Sequence, residues 1–501
     1  MEWLSLLGGG FATALTPENF MYVVIGALLG TAVGVLPGLG SAMAVALLLP
    51  VTFTLEPTSA FIMFAGVYYG GLFGDSITGI LLNTPGNSSA IAATFEGHKM
   101  ALDGRAPQAL ATSAIGAFTG GLIATTIVAA GATSLAQLAT YFGSPEFFAL
   151  AVFAFVATSA VVADSLLKGL AGLAIGLALA MVGIDGISGA SRLTLGVPQL
   201  FDGISIVVIA VGLLALGEVL HVASRQGKRS HVTQISAGGR PYLSRAEFRE
   251  ALPAWLRGAG WGVPFGVIPV GGSEIPTFLA YGTERRLDQR RKVPKFGRGA
   301  IRGVAAPEAA GNATAGTAMG ALLTLGLPTS ATAAIMLAAF QQYGLQPGPL
   351  LFSRDGDLAW ALIASLFVGL VVLIILNLPF APYWAKLLLI PRRHLYAGIT
   401  VFCALGVYGT SASVVDVALV LGIGLVGLLM RRYEVPVAPV LIAVILGPLA
   451  ETELRRTLAV SEGQLSGLVS SPITVVLYSV LALTVLFTIV TRVRDRKARD
   501  L

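Results

Sequence analysis

Four apolar segments of this chain are interrupted by proline and glycine, two in each half. The first half carries Gly34-Val35-Leu36-Pro37-Gly38-Leu39-Gly40, then Leu81-Leu82-Asn83-Thr84-Pro85-Gly86-Asn87-Ser88-Ser89. The second carries Gly266-Val267-Ile268-Pro269-Val270-Gly271-Gly272, then Leu325-Gly326-Leu327-Pro328-Thr329-Ser330-Ala331-Thr332. Lipid tolerates a broken backbone only where protein buries it or where it lines a cavity. Matched broken helices in two halves of a hydrophobic chain point to a transporter's binding site.

The surrounding composition is that of a membrane protein. The chain has 501 residues, 55% hydrophobic and 12% charged, with a mean hydropathy of +0.81. A soluble domain carries about 25% charged residues. Apolar runs over 204–217 and 358–376 approach or reach bilayer-crossing length. Glycine suits close helix packing, because lipid supplies no hydrophobic drive between helices. The net charge of +6 comes from Lys and Arg clustered in loops, where the positive-inside rule explains them without nucleic acid. The one cysteine, Cys403, sits in an apolar run and reads as a packing thiol. Residues 1–14 show no positive n-region or cleavage pattern, so no removable signal peptide is expected.

Charge sets the expected topology. Basic stretches over 225–257 and 285–302 bracket the apolar segment 258–281. Both are expected in the cytoplasm. Two crossings need about 40 residues, so this segment, broken at Pro269, should enter and return as a re-entrant hairpin. Its first-half counterpart, 20–53, breaks at Pro37-Gly38 between acidic flanks, which fits an outer face. The segment 58–95 breaks at Thr84-Pro85-Gly86 and ends near His98, Lys99 and Arg105, and 303–340 breaks at Pro328 with the opposite polarity. That pattern is an inverted repeat.

Further spans are expected near 107–133, 147–163, 166–182, 204–220, 358–376, 395–408, 414–430, 435–449 and 473–491. The fold class is therefore an all-α polytopic membrane protein of two inverted repeats with re-entrant hairpins and broken helices. It has about 11 crossings plus two hairpins. The expected divisions are a first repeat over 1–223, a basic linker over 224–257, a second repeat over 258–491 and a tail over 492–501. Ser244-Arg245-Ala246-Glu247 reads as a helix cap, placing an interfacial helix in the linker. Arg192 and the Arg455-Arg456 pair fit the charge rule least well, being left outside beside Glu451, Glu453 and Glu462.

The candidate site is built from the interruptions. Pro85 frees backbone groups, and Asn87 or Ser88 can cap the half-helix that follows. Pro328, Thr329, Ser330 and Thr332 offer the same device from the other half. Half-helix N-termini attract anions without a full positive charge. With Asn83, Thr84 and Gly86 they make a plausible carboxylate site; the blander reading is proline kinks whose caps satisfy themselves. The hairpin tips Pro37, Gly38 and Gly40, and Gly271, Gly272 and Ser273, let backbone approach a ligand closely, or are simply tight turns. Ionisable or polar residues at membrane depth are functional candidates. Asp75, Glu274, Glu308 and Asn312 are the candidates for a coupling cation. Helix packing, a loop salt bridge and a first-turn position after Pro307 are the structural readings for Asp75, Glu274 and Glu308 respectively. Glu96, His98 and Asp103 read as a solvated loop.

Enzyme signals are weak. There is no Walker A sequence, zinc-ligand spacing or Gly-x-Ser-x-Gly elbow. An acid pair of Asp75 and Glu308 would suit an intramembrane enzyme, but nothing in their spacing supports a meeting. A channel or a carrier without partners is a further alternative.

The interrupted segments, with Tyr68-Tyr69-Gly70-Gly71, Ala306-Pro307-Glu308-Ala309-Ala310 and Gln346-Pro347-Gly348-Pro349, resemble the large membrane subunit of the tripartite tricarboxylate transporters (TctA-like). The resemblance covers about 20–472. It implies a bacterial inner-membrane importer of carboxylates driven by a Na⁺ or H⁺ gradient, without other cofactor. It also implies two partners, a small TctB-like membrane subunit and a periplasmic TctC-like solute-binding protein. Val270 and Gly311 depart from the family's usual residues, so citrate is not implied. The hairpins and broken spans favour an elevator-like movement of a transport domain against a scaffold.

Overall fold

The computed structural model describes residues 2–36, 39–84, 88–139, 141–162, 165–186, 188–224, 242–268 and 272–499. Helix α1 (Glu2–Ala14) meets α2 (Pro17–Gly34) at 82°. Thr16 makes the corner by accepting the Asn19 N–H, with Pro17 at the first helical position. Next come α3 (Ser41–Thr52), α4 (Pro57–Leu82), α5 (Ile91–Leu102) and α6 (Ala106–Ala139). Then α7 (Ser144–Val162) and α8 (Leu166–Ala180) lead to a short ribbon of β1 (Gly183–Ile184) and β2 (Ser191–Arg192). Helices α9 (Ile206–Ala210) and α10 (Gly217–Ser224) flank a π-helical stretch, Val211–Leu216.

The second half opens with α11 (Arg245–Val267) and α12 (Glu274–Gln289), then α13 (Arg302–Leu325) and α14 (Ala331–Gln342). The short α15 (Pro349–Arg354) precedes α16 (Gly356–Asn377), and the short α17 (Ala381–Trp384) precedes α18 (Arg392–Ser411). Helices α19 (Val414–Arg432), α20 (Val437–Val460) and α21 (Pro472–Arg499) complete the chain. Among the described residues, six helices are long and apolar enough to cross a membrane: α4, α6, the α9–α10 unit, α16, α19 and α20.

The two halves pack in the same register. Gly26, Gly30 and Gly34 of α2 lie on the carbonyls of Met63, Val67 and Gly71 of α4. Gly258, Gly262 and Gly266 of α11 lie on those of Ala306, Ala310 and Thr314 of α13. An added Cβ would stand 2.2–2.5 Å from each carbonyl oxygen, so only glycine lets these backbones touch. The arm residues are 232 apart (258 − 26) and their partners 243 apart (306 − 63). Beyond these pairs, α6 covers α13 and α16 covers α4. Outside this block, α7 and α8 pack on α20, with α21 against α7, while α19 packs on the π-helical stretch and α10. The π stretch releases carbonyls from the regular ladder. Arg431 of α19 donates to two of them, Leu213 O at 2.7 Å and Leu214 O at 3.2 Å, and pairs with Glu218 at 2.7 Å.

Several local expectations need correction. Ser244 does cap a helix, in a full capping box with Glu247, but that helix is the hairpin arm α11 itself. It runs unbroken across the 257/258 division, and no separate interfacial helix exists among the described residues. Glu96 does not belong to a solvated loop; it is fully buried. Its Oε1 accepts from the Tyr281 hydroxyl and Gly297 N, and its Oε2 from Gly299 N and Ala300 N. Pro307 and Glu308 lie inside α13 rather than at its first turn, because that helix begins at Arg302. Arg192 and Arg455 are neutralised locally, both bonding Asp185 and Glu451. Cys403 is buried.

Candidate functional site

An internal cavity of about 200 Å³ lies where both hairpins meet both broken spans. Helix α3 contributes Ser41 and Ala42, its first two residues. The α12 start contributes Gly272, Ser273 and Glu274, and the α14 start contributes Thr329, Ser330, Ala331 and Thr332. Ser89 comes from a 3-10 turn that leads into α5. Three helix N-termini thus open onto one space, lined by hydroxyls among apolar side chains. Each presents backbone N–H groups without an intrahelical partner and the positive end of its dipole. No lysine, arginine or histidine lines the cavity among the described residues.

Side-chain ties hold these ends together. Ser41 Oγ and Thr332 Oγ1 are 3.0 Å apart, joining the first hairpin to the second broken span. Thr329 Oγ1 donates to Gly266 O at 2.8 Å, joining that span to the second hairpin. Ser330 Oγ caps α14 by accepting Ala333 N–H at 3.2 Å. The span ends turn by the same device: α4 is terminated by Asn83 (φ 54°) and α13 by Gly326 (φ 68°), both left-handed.

The expected site residues fall into groups. Gly272, Ser273, Thr329, Ser330, Thr332 and Glu274 line the cavity. Gly40 stands just outside as the N-cap of α3, and Pro328 is buried beside Thr329. Asn83 lines a different cavity, of about 580 Å³, with His98, Lys99 and Arg285. Thr84 is exposed. Pro37, Gly38, Pro85, Gly86, Asn87 and Gly271 lie outside the described residues, as does the side chain of Ser88.

Asp75, Glu308 and Asn312 form a second, buried polar cluster, and none of the three lines the cavity. Ser76 Oγ donates to Glu308 Oε1 at 2.6 Å, and Asn312 Nδ2 donates to Glu308 O at 3.1 Å. Asp75 lies within electrostatic range of Glu308. The Ser76 bond brings α4 and α13 together beside the two acids, although their spacing in sequence gives no hint of it.

Sequence reasoning missed five polar residues of the cavity, Ser41, Tyr68, Ser89, Thr158 and Thr314. Thr158 comes from α7, outside the paired hairpins and spans. Its hydroxyl is buried and has no hydrogen-bond partner among the described residues, which leaves it available to a guest. Ser41 was legible in principle: it opens the helix after the first break, much as Ser273 caps the one after the second.

The fold and site together define a multi-pass, largely helical membrane protein of the transporter class, with a hydroxyl-bearing cavity where paired helix breaks converge. The chain belongs to the tripartite tricarboxylate transporter TctA family, whose sequence profile matches residues 20–442. It is 39% identical over 497 residues to an uncharacterized 52.8 kDa protein of Agrobacterium vitis, from the TAR-I ttuC' 3' region; the match covers 99% of this chain and 98% of that protein. It is also 36% identical over 232 residues to an uncharacterized TAR-II ttuC' 3' region protein of the same organism, covering 46% of this chain and 95% of that protein. No solved structure matches.

Proposed function

We propose that this chain is the membrane core of a secondary active importer of di- or tricarboxylates in the bacterial inner membrane, driven by a Na⁺ or H⁺ gradient. In this reading it works with a small TctB-like membrane subunit, and a periplasmic TctC-like binding protein delivers the substrate. The observation that carries it is the cavity itself. Three helix N-termini and a set of hydroxyls surround it without a cationic side chain. That is a means of holding carboxylates while leaving them free to depart. Ser41, Thr158, Ser273, Thr329, Ser330 and Thr332 contact the guest.

Asp75, Glu274, Glu308 and Asn312 are the candidates for the coupling cation. The matched glycine registers support a duplicated architecture of two inverted repeats. The block of α1–α6 with α11–α16 is the moving part of an elevator, against a scaffold of α7–α10 and α18–α21.

The test is uptake of labelled di- and tricarboxylates by proteoliposomes holding this chain and the small subunit, with and without the binding protein, under imposed Na⁺ or H⁺ gradients. Accumulation under one gradient, dependent on the binding protein, is expected. Equilibration without accumulation refutes active transport.

A further inference from the structure

We propose that Thr158 is the specificity residue of the cavity: its hydroxyl, with the start of α20, binds a second carboxylate of a guest whose first is held at the other helix starts. The cavity thereby selects dicarboxylates over monocarboxylates of the same length. The proposal rests on the reading of that cavity as a carboxylate site.

The cavity has two unlike walls. One is built from α3, α4, α13, the turn before α5 and the starts of α12 and α14. The other comes from α7 and α20, which supply Thr158, Ala438 and Ile442. Ala438 is the second residue of α20, whose N-cap Pro436 gives no side-chain cap. A further helix start therefore stands at this wall, with the partial positive charge of its first N–H groups. Among the described residues, Thr158 is the one polar side chain on it.

Thr158 is 2% exposed, and its Oγ1 has no hydrogen-bond partner among the described residues. An unpaired buried hydroxyl is costly, and the usual remedy lies one turn away. A helical serine or threonine can donate to the carbonyl four residues back. Thr112, Thr324 and Thr457 do so at 2.7 Å, and so does Ser159, the next residue of α7, to Phe155 O. Thr158 makes no such bond.

The other buried serine and threonine hydroxyls of the cavity are committed. Ser41 and Thr332 bond each other, Thr329 donates to Gly266 O, and Thr314 lies within bonding reach of Gly262 O and Ala310 O. These ties shape the pocket whether or not a guest is present. Thr158 keeps its hydrogen bond in reserve, on the wall that faces them. A monocarboxylate would fill the same space and leave that hydroxyl unpaired. Sites built to hydrogen-bond a substrate group discriminate against analogues that lack it.

The experiment compares the purified full-length wild type with Thr158→Val and Thr158→Ser. Binding of labelled succinate, malate and citrate is measured at equilibrium, with butyrate as the one-carboxylate competitor. The acid that wild type binds best should bind Thr158→Val about tenfold more weakly, while Thr158→Ser keeps it. The effect of butyrate should be the same on wild type and Thr158→Val. Thermal unfolding without guest supplies an independent sign. Valine keeps the shape and removes an unpartnered hydroxyl, so Thr158→Val should melt no lower than wild type. A packing role alone predicts the reverse, a lower melting temperature with affinity intact. Unchanged affinity in Thr158→Val, an equal loss for butyrate, or a lower melting temperature without guest overturns the role of Thr158 and leaves the carboxylate reading standing. Wild type that binds none of the three acids overturns the carboxylate reading and this proposal with it.

Discussion

Gly262 and Gly260 stand two residues apart on α11 and should respond to the same substitution in opposite directions. At Gly262 an added Cβ lies 2.2 Å from Ala310 O and 2.8 Å from the Ala313 Cβ; at Gly260 it meets nothing within 4 Å. Ordinary contact begins near 3.4 Å, so Gly262→Ala must push α11 off α13 by about 1.2 Å (3.4 − 2.2). A gap of that order forfeits roughly half the dispersion energy of the contacts it opens. The obstruction is backbone and cannot swing aside. Overpacking of this kind costs about 3 kcal/mol, the upper end of its usual range. Alanine returns about 1 kcal/mol of helix propensity at either position. Gly262→Ala should therefore lose about 2 kcal/mol and Gly260→Ala gain about 1. Thermal unfolding of the purified variants in detergent reads the difference. Gly30→Ala, which meets Val67 O at 2.5 Å in the first half, should follow Gly262→Ala. Equal melting of Gly260→Ala and Gly262→Ala would refute the close backbone contact.

Other expectations are as direct. Thr329→Val leaves Gly266 O without its hydroxyl donor and should cost about 1–3 kcal/mol in stability, while lowering carboxylate affinity in equilibrium binding. Glu284 is fully buried between Arg257 and Arg302; Glu284→Leu strands a buried guanidinium and should cost about 3–5 kcal/mol, read as loss of folded protein on heating. Glu96→Gln sets an amide NH₂ against backbone N–H donors, so protease cleavage within 290–300 should quicken. Burial alone would raise the Glu250 carboxyl, but hydrogen bonds from Lys295 and Arg291 hold it below its ordinary value. Its contribution to stability is therefore full above the unfolded carboxylate range and is lost as pH falls from there through its lower folded value. Glu250→Gln should flatten that acid limb of the melting curve.

The broken segments were legible because proline, glycine and hydroxyl residues are rare in company at membrane depth. The spans followed from their apolar runs: the expected 358–376 is α16, and 414–430 lies within α19. The glycine stripes at 26, 30, 34 and at 258, 262, 266 were equally readable, as small residues at helical spacing. The rest depended on distance along the chain. Nothing local marks Glu96 as buried, because its four donors come from residues 281–300. Thr158 sits in a run that reads like any apolar span, and only the packing of α7 turns its hydroxyl to the cavity. Ser244 was read correctly as a cap, but capping shows where a helix starts and not how far it continues.

The two registers, 232 for the hairpin arm and 243 for the span, differ by 11 residues (243 − 232). That surplus is shared in the second half by a longer α12 and the connection after it, and this connection carries Gly297, Gly299 and Ala300, whose amides grip Glu96 of the first half. The longer joint is a strap from one half to the other, while both glycine seams keep the same spacing. The chain thus has a front and a back, and shortening the connection after α12 should unfasten the halves without disturbing either glycine seam.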